Sequence, residues 1–278
     1  MTNPTFSFYN FKYISMTTIK FIASDMDGTL LDEQGRLDPE FFDLYTKLTE
    51  QNIIFAAASG RQYYSLAETF EPLKNEMMFI AENGTLVMHK GEELYSCTLD
   101  KDSIHSIIKQ ARLIQGAHIV LCGKKSAYIE TQDQQALNEI QKYYHRRESV
   151  SDLLEVEDEF IKVAICHFDG SAEHVHPSID AEFGEKHQVV ISAKIWLDVM
   201  NVNASKGAAL KHLQQSIGFT FEETMSFGDY LNDVEMLKES YHSYAMENAH
   251  EGVKAVARFS APSNQKSGVL RVMKGLLG

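Results

Sequence analysis

The residues able to do chemistry in this chain fall in short segments: Asp25-Met26-Asp27-Gly28-Thr29, Ser59-Gly60, Lys206 with Gly207, and Gly228-Asp229-Tyr230-Leu231-Asn232-Asp233. A carboxylate can take up a phosphoryl group as an aspartyl phosphate, provided a cation neutralises the approach of two anions. Asp25 is the candidate nucleophile. Asp27 is the candidate general acid and then base, because the chain can turn after Asp25 and aim a second, partly desolvated carboxylate at the leaving group. Mg2+ prefers oxygen ligands in an octahedron and keeps several waters, so the side chains of Asp25 and Asp229 and the main-chain carbonyl of Asp27 make a suitable protein share of its shell. The Ser59 hydroxyl and Gly60 amide are expected to hold a phosphoryl oxygen, Lys206 to supply a point charge and Asn232 to act as a neutral donor. Thr29 and Gly28 support the first turn. Asp233, four positions after Asp229, is expected to position Lys206 or the water shell of the metal.

These segments need elements that bring them together. Ile19 to Ser24 reads as a short buried strand broken by the turn residues of the first segment, and Ile53 to Ala58 as a second that ends before Ser59-Gly60-Arg61. Asp38-Pro39 opens a helix whose Phe41, Phe42, Leu44, Tyr45 and Leu48 recur at helical spacing. Repeated strand, turn and helix units predict a doubly wound parallel α/β sheet, Rossmann-like, with the polar segments just beyond the carboxyl ends of its strands, where such sheets bind ligands. The pattern changes after Asn83-Gly84, at the hairpin around Lys90-Gly91, and becomes parallel again with the helix at 205–217. The expected organisation is an N-terminal extension at 1–16, a catalytic core of 17–85 and 191–278, and an inserted α+β cap of 86–190 that sets substrate specificity.

The set DMDGTL, ASGR, SKG and GDYLND, in this order, resembles the haloacid dehalogenase superfamily of phosphohydrolases, and the placement of the insertion resembles its Cof-like branch. The resemblance runs from about Thr18 to Leu277, the cap sharing placement and pattern only. It implies a Mg2+-dependent, cytoplasmic phosphoric monoester hydrolase that acts on a sugar phosphate or similarly small metabolite through phospho-Asp25. Two rivals use the same groups: a phosphomutase on the same scaffold, and a non-enzymatic switch module phosphorylated on aspartate. Asp27 and the large cap count against the second, because a switch needs neither a second acid at that spacing nor a lid.

Each segment alone has a plainer reading. Asp-Gly-Thr is most often a turn, Ser-Gly-Arg a helix cap, Lys206 a solvated lysine, and Asp229 or Asp233 a capping acid; only their joint order says more. His174-Val175-His176 reads as surface, Lys124-Lys125 and Arg146-Arg147 as solvated charge, and Trp196, Tyr143 and Tyr144 as packing. The 278 residues are 44% hydrophobic and 23% charged, with a net charge of −13. That balance is globular and offers no overall positive field for nucleic acid or anionic lipid, so a phosphorylated substrate must meet a local positive site. Cys97, Cys122 and Cys166 lie far apart in apolar runs, which predicts free thiols rather than a disulfide or zinc framework, and no run is long enough to span a membrane.

Overall fold

The computed structural model describes residues 18–278; the extension expected at 1–16 lies outside the described residues. Short apolar runs build the centre. β1 (Phe21–Asp25) and β3 (Met78–Ala81) are buried along their whole length, and β2 (Ile54–Ala58) nearly so, as parallel strands covered on both faces must be. The crossovers are α1 (Glu40–Glu50) and α2 (Tyr63–Thr69). α1 buries Phe41, Leu44, Tyr45 and Leu48 on one stripe, and Phe41 meets the ring edge of Phe55 at 5.0 Å. A hairpin of β4 (Leu86–His89) and β5 (Glu92–Ser96) follows.

The chain then builds a second unit from α3 (Lys101–Ala111), β6 (His118–Gly123), β7 (Ala127–Ile129), α4 (Gln134–Ile140), β8 (Arg147–Ser149), β9 (Phe160–Cys166), α5 (Ser171–His174), α6 (His176–Phe183), β10 (His187–Ala193) and β11 (Trp196–Asn201). It returns through α7 (Lys206–Leu213), β12 (Thr224–Gly228), α8 (Val234–Lys238), β13 (His242–Met246), α9 (Glu251–Lys254), β14 (Phe259–Ala261) and α10 (Gly268–Leu277).

The core sheet runs β14-β13-β12-β1-β2-β3-β4-β5, parallel from β14 to β3 and antiparallel in the hairpin. Strand alternation divides its two faces. Ile22, Phe55, Ala57 and Phe79 pack with residues of α1 and α10, while Phe21, Ala23, Ala56 and Ala58 pack with α7 and with Met236 of α8. This is the expected doubly wound core. The inserted unit is an α+β cap around a mainly antiparallel sheet, β10-β11-β9-β6-β7-β8. Residues of α3 and α6 cover one face of that sheet, and α4 with Leu86 of the core covers part of the other.

Sheet membership shifts both junctions expected at 86 and 190. Leu86 to Ser96 belongs to the core sheet, where β4 pairs with β3, and β10 with all of β11 belongs to the cap sheet. A switch from parallel to antiparallel pairing within one sheet looks, in sequence, like a change of domain. The two strands that periodicity did not mark, β8 and β14, are three residues long and lie at sheet edges.

Candidate active site

β1 ends at Asp25 and β12 at Gly228, and the strands are neighbours, with Ser24 beside Phe227. β2 and β3 continue the sheet on one side and β13 and β14 on the other, so this is the point where strand order reverses. A crevice opens beyond the strand ends at such a switch point. Backbone geometry then aims the side chains. Gly28 has φ +83°, and a Cβ there would come 2.3 Å from Asp229 Oδ2, so the turn after β1 makes room for that carboxylate only because residue 28 is glycine. The Thr29 hydroxyl donates to Asp229 Oδ1 at 3.0 Å, and the Asn248 side chain holds the Gly28 carbonyl at 2.8 Å.

Lys206 is the first residue of α7, whose N-terminus is capped by the Ser205 side chain accepting from the Ala208 N–H. The lysine is wholly buried, and its Nζ donates to Asp25 Oδ1 at 2.5 Å and to Asp233 Oδ1 at 2.7 Å. The other Asp233 oxygen accepts the Asp229 and Tyr230 N–H groups at 3.0 and 3.2 Å, so both ends of that carboxylate are engaged. One oxygen from each of Asp25, Asp229 and Asp233 can be chosen so that all lie within 4.8 Å of one another.

Three carboxylates thus gather at one ammonium, which pairs directly with Asp25 and Asp233. Burial pushes the Asp25 carboxyl well above the usual carboxylate range; Asp233 and Asp229 add to this and Lys206 opposes it. Burial raises Asp229 too, against the Thr29 hydrogen bond and with Asp233. Burial works to lower Lys206, but Asp233 and Asp25 outweigh it, and the lysine stays firmly protonated. With three carboxylates gathered around one ammonium, the cluster carries a deficit of positive charge where those groups are ionised. A hard divalent cation with a taste for oxygen would fill it, and since Asp233 is engaged, Asp25 and Asp229 are the side chains left to face an ion.

The remaining expectations fare unevenly. The Asp27 side chain, expected to be partly desolvated, is 57% exposed and forms a two-pronged pair with Arg61, at 2.9 and 2.5 Å. Ser59 is buried, its N–H donating to the Ile80 carbonyl and its hydroxyl accepting from the Arg61 N–H. α2 begins only at Tyr63, so the helix end expected at Gly60 is displaced by the turn through Gln62. Asn232 is exposed and donates to the Asn83 side chain at 3.1 Å. Asn83 itself was read only as a turn residue, yet its side chain abuts Gly60, where a Cβ would lie 3.1 Å away. Glu82 and Asn83 are both left-handed, with φ of 49° and 56°; a left-handed glutamate is not signalled by composition or period. Arg61 was legible only as the third residue of Ser-Gly-Arg.

Two of the four basic residues read as solvated, Lys124 and Arg146, join core and cap, whereas Lys125 and Arg147 are exposed. Lys124 pairs with Glu93 of β5 at 2.9 Å, and the Arg146 backbone exchanges two hydrogen bonds with the Gln62 side chain. Trp196 packs beside Tyr143 and Tyr144 as expected, and all three cysteines are free. Among the described residues no helix is long and apolar enough to cross a membrane.

A doubly wound parallel sheet with an inserted α+β unit and acidic side chains gathered at its switch point defines an architecture that can house many chemistries. More narrowly, the haloacid dehalogenase-like hydrolase family model matches residues 22–273, and the chain belongs to that family. It is 35% identical over 262 residues to the 5-amino-6-(5-phospho-D-ribitylamino)uracil phosphatase YbjI of Escherichia coli, an alignment covering 94% of this chain and 97% of that one. It is 28% identical to an HMP-PP phosphatase of Klebsiella pneumoniae over 85% of this chain and 87% of the relative. The crystal structure of SMU.1108c from Streptococcus mutans superposes with a TM-score of 0.83 at 31% identity, covering 94% of this chain and 99% of that one. With these relatives, the chain is a phosphoric monoester hydrolase.

Proposed function

We propose that the protein is a Mg2+-dependent phosphatase of small phosphorylated metabolites, sugar phosphates or similar esters, working through a phosphoryl group carried on Asp25. The observation that supports this best is the wholly buried Lys206 bridging Asp25 and Asp233 beside Asp229 at the switch point of the sheet. Asp25 attacks phosphorus, an Asp25 O–P bond forms, and the ester oxygen departs with a proton from Asp27. Asp27 then takes a proton from water as that water attacks the aspartyl phosphate, releasing inorganic phosphate. For either transfer the Asp27 carboxylate must exchange its Arg61 partner for the leaving oxygen or the water. Lys206 orients Asp25 and offsets charge, while Ser59, Gly60 and Asn232 are the proposed phosphoryl contacts. When bound between Asp25, Asp229 and the Asp27 carbonyl, Mg2+ would neutralise part of the phosphoryl charge.

The name of the Escherichia coli relative supports putting a phosphorylated sugar-alcohol ester first among candidate substrates. The test is inorganic phosphate release from a panel containing that ester, sugar phosphates, HMP-PP and an aryl phosphate, with and without Mg2+ after chelation. Release from at least one ester, abolished by chelator and restored by Mg2+, is expected. Isomerised sugar phosphate without released phosphate would indicate a mutase, and a single phosphorylation without turnover a switch; either overturns the proposal.

A further inference from the structure

Glu82 follows β3 on the core, yet the cation beside its buried carboxylate comes from the cap. Lys162 of β9 places Nζ 2.6 Å from Glu82 Oε2, and Asp198 of β11 lies 3.5 Å from the same Nζ. The side chains of Glu82, Lys162 and Asp198 are 2%, 4% and 8% exposed. The Lys162 ammonium approaches off the line of a well-formed hydrogen bond, so charge rather than direction holds the pair. Apolar side chains would fill such a space at less desolvation cost, and a buried charge cluster of this kind is best used to select one register between two surfaces.

What that register controls is the backbone on which Glu82 stands. Glu82, Asn83 and Gly84 are consecutive left-handed residues, with φ of 49°, 56° and 88°, a conformation that persists only where its surroundings over-determine it. The Glu82 N–H donates to the Arg61 carbonyl at 3.1 Å and the Asn83 N–H to the Ser59 carbonyl at 2.9 Å. Gly84 lies against the first turn of α7, where a Cβ would come 2.2 Å from the Ser205 carbonyl. The Asn83 side chain meets Gly60 and Asn232. One three-residue turn therefore braces the Ser59-Gly60-Arg61 segment, the Lys206 end of α7 and Asn232.

We propose that Glu82 is a positioning residue: its ion pair with Lys162 locks the strained turn that braces the phosphoryl-binding segments, so that seating of the cap and assembly of that side of the site are one event. The kinetic part of this rests on the phosphatase reading; the structural part does not.

Glu82→Gln, Lys162→Met and the double variant test it. Each single variant should lower kcat on an aryl phosphate about 10- to 100-fold, as small misplacements of reacting groups do, with KM changed by no more than about threefold. The double variant should be no slower than the worse single one, since a broken pair cannot be broken twice. Hydrogen exchange at the Glu82 and Asn83 amides should quicken in all three, with β1 and β12 unchanged. Singles that keep wild-type kcat, losses that multiply in the double variant, or unaltered exchange at residues 82 and 83 would each overturn the proposal. If the wild type releases no phosphate, the exchange measurement still decides it. If Lys162→Met does not fold, Glu82→Gln, which preserves side-chain volume, carries the same two readouts.

Discussion

Asp25 and Asp27 stand two positions apart and live in opposite surroundings, one buried against Lys206, the other more than half exposed and paired with Arg61. Their substitutions should therefore fail differently. Asp25→Asn removes the proposed nucleophile, so no phosphoprotein should form and turnover should vanish. Asp27→Asn removes the proposed proton carrier, an expected loss of about 10²- to 10⁴-fold on an ordinary ester. An aryl leaving group needs little protonation, so this variant should accumulate phosphate mass that peptide mapping places on Asp25; label on Ser59 would refute the assignment. The raised carboxyl of Asp229 gives a second prediction. Without metal, a carboxyl raised on folding lets the native state bind more protons than the unfolded chain, so its contribution is present at low pH and lost as pH rises through the raised value. In chelator, Asp229→Asn should thus gain thermal stability relative to wild type as pH climbs from the carboxylate range to neutrality. Added Mg2+ should then stabilise only the wild type. Parallel Tm curves with pH would contradict this.

Turns, more than strands or helices, decide what the site can hold. The segment after β1 passes so close to Asp229 that Gly28→Ala meets it at 2.3 Å in a backbone conformation with φ +83°. Strain of about 1–3 kcal/mol is typical of such a change. It should appear as displacement of Asp229: roughly tenfold or greater weakening of the Mg2+ dependence of activity, since about 1.4 kcal/mol is tenfold, with far-ultraviolet circular dichroism unchanged. An Mg2+ titration that matches wild type would show that the turn has slack. The turn at Glu82–Gly84 has the same character, but its conformation is held partly by the other unit.

At the scale of the whole molecule, one edge of the junction between core and cap is a row of polar contacts along α2 and the residue before it. Gln62 exchanges two hydrogen bonds with the Arg146 backbone, His145 pairs with Glu68 at 2.6 Å, and the Arg146 guanidinium lies 4.6 Å from the Tyr64 ring centre. If the cap closes over the leaving group, loosening this edge should hurt demanding esters more than activated ones. Gln62→Ala is expected to lower kcat/KM for the best natural ester by about tenfold while sparing an aryl phosphate. Equal losses on both would place Gln62 in general stability instead.

Much of this was local and therefore legible. Apolar runs of five residues name central strands, Asp38-Pro39 and the spacing of Phe41, Leu44 and Leu48 name a helix, and the four polar segments in order identify the family. Those signals depend on neighbours within a turn or two of chain. The boundaries of the cap did not follow, because sheet membership is settled by pairing partners such as Ile80 with Val87 or Val189 with Val199, and the same alternation serves either sheet. Nor did the surroundings of individual site residues. Lys206 and Asp25 are 181 residues apart, and which atoms they share, whether Asp27 faces its fellow aspartates or Arg61, and whether Lys162 is solvated or locked onto Glu82 are matters of long-range packing. Residue type and spacing determined the chemistry available to this protein; only the folded chain, by burying some charges and exposing others, decided which groups stand next to which.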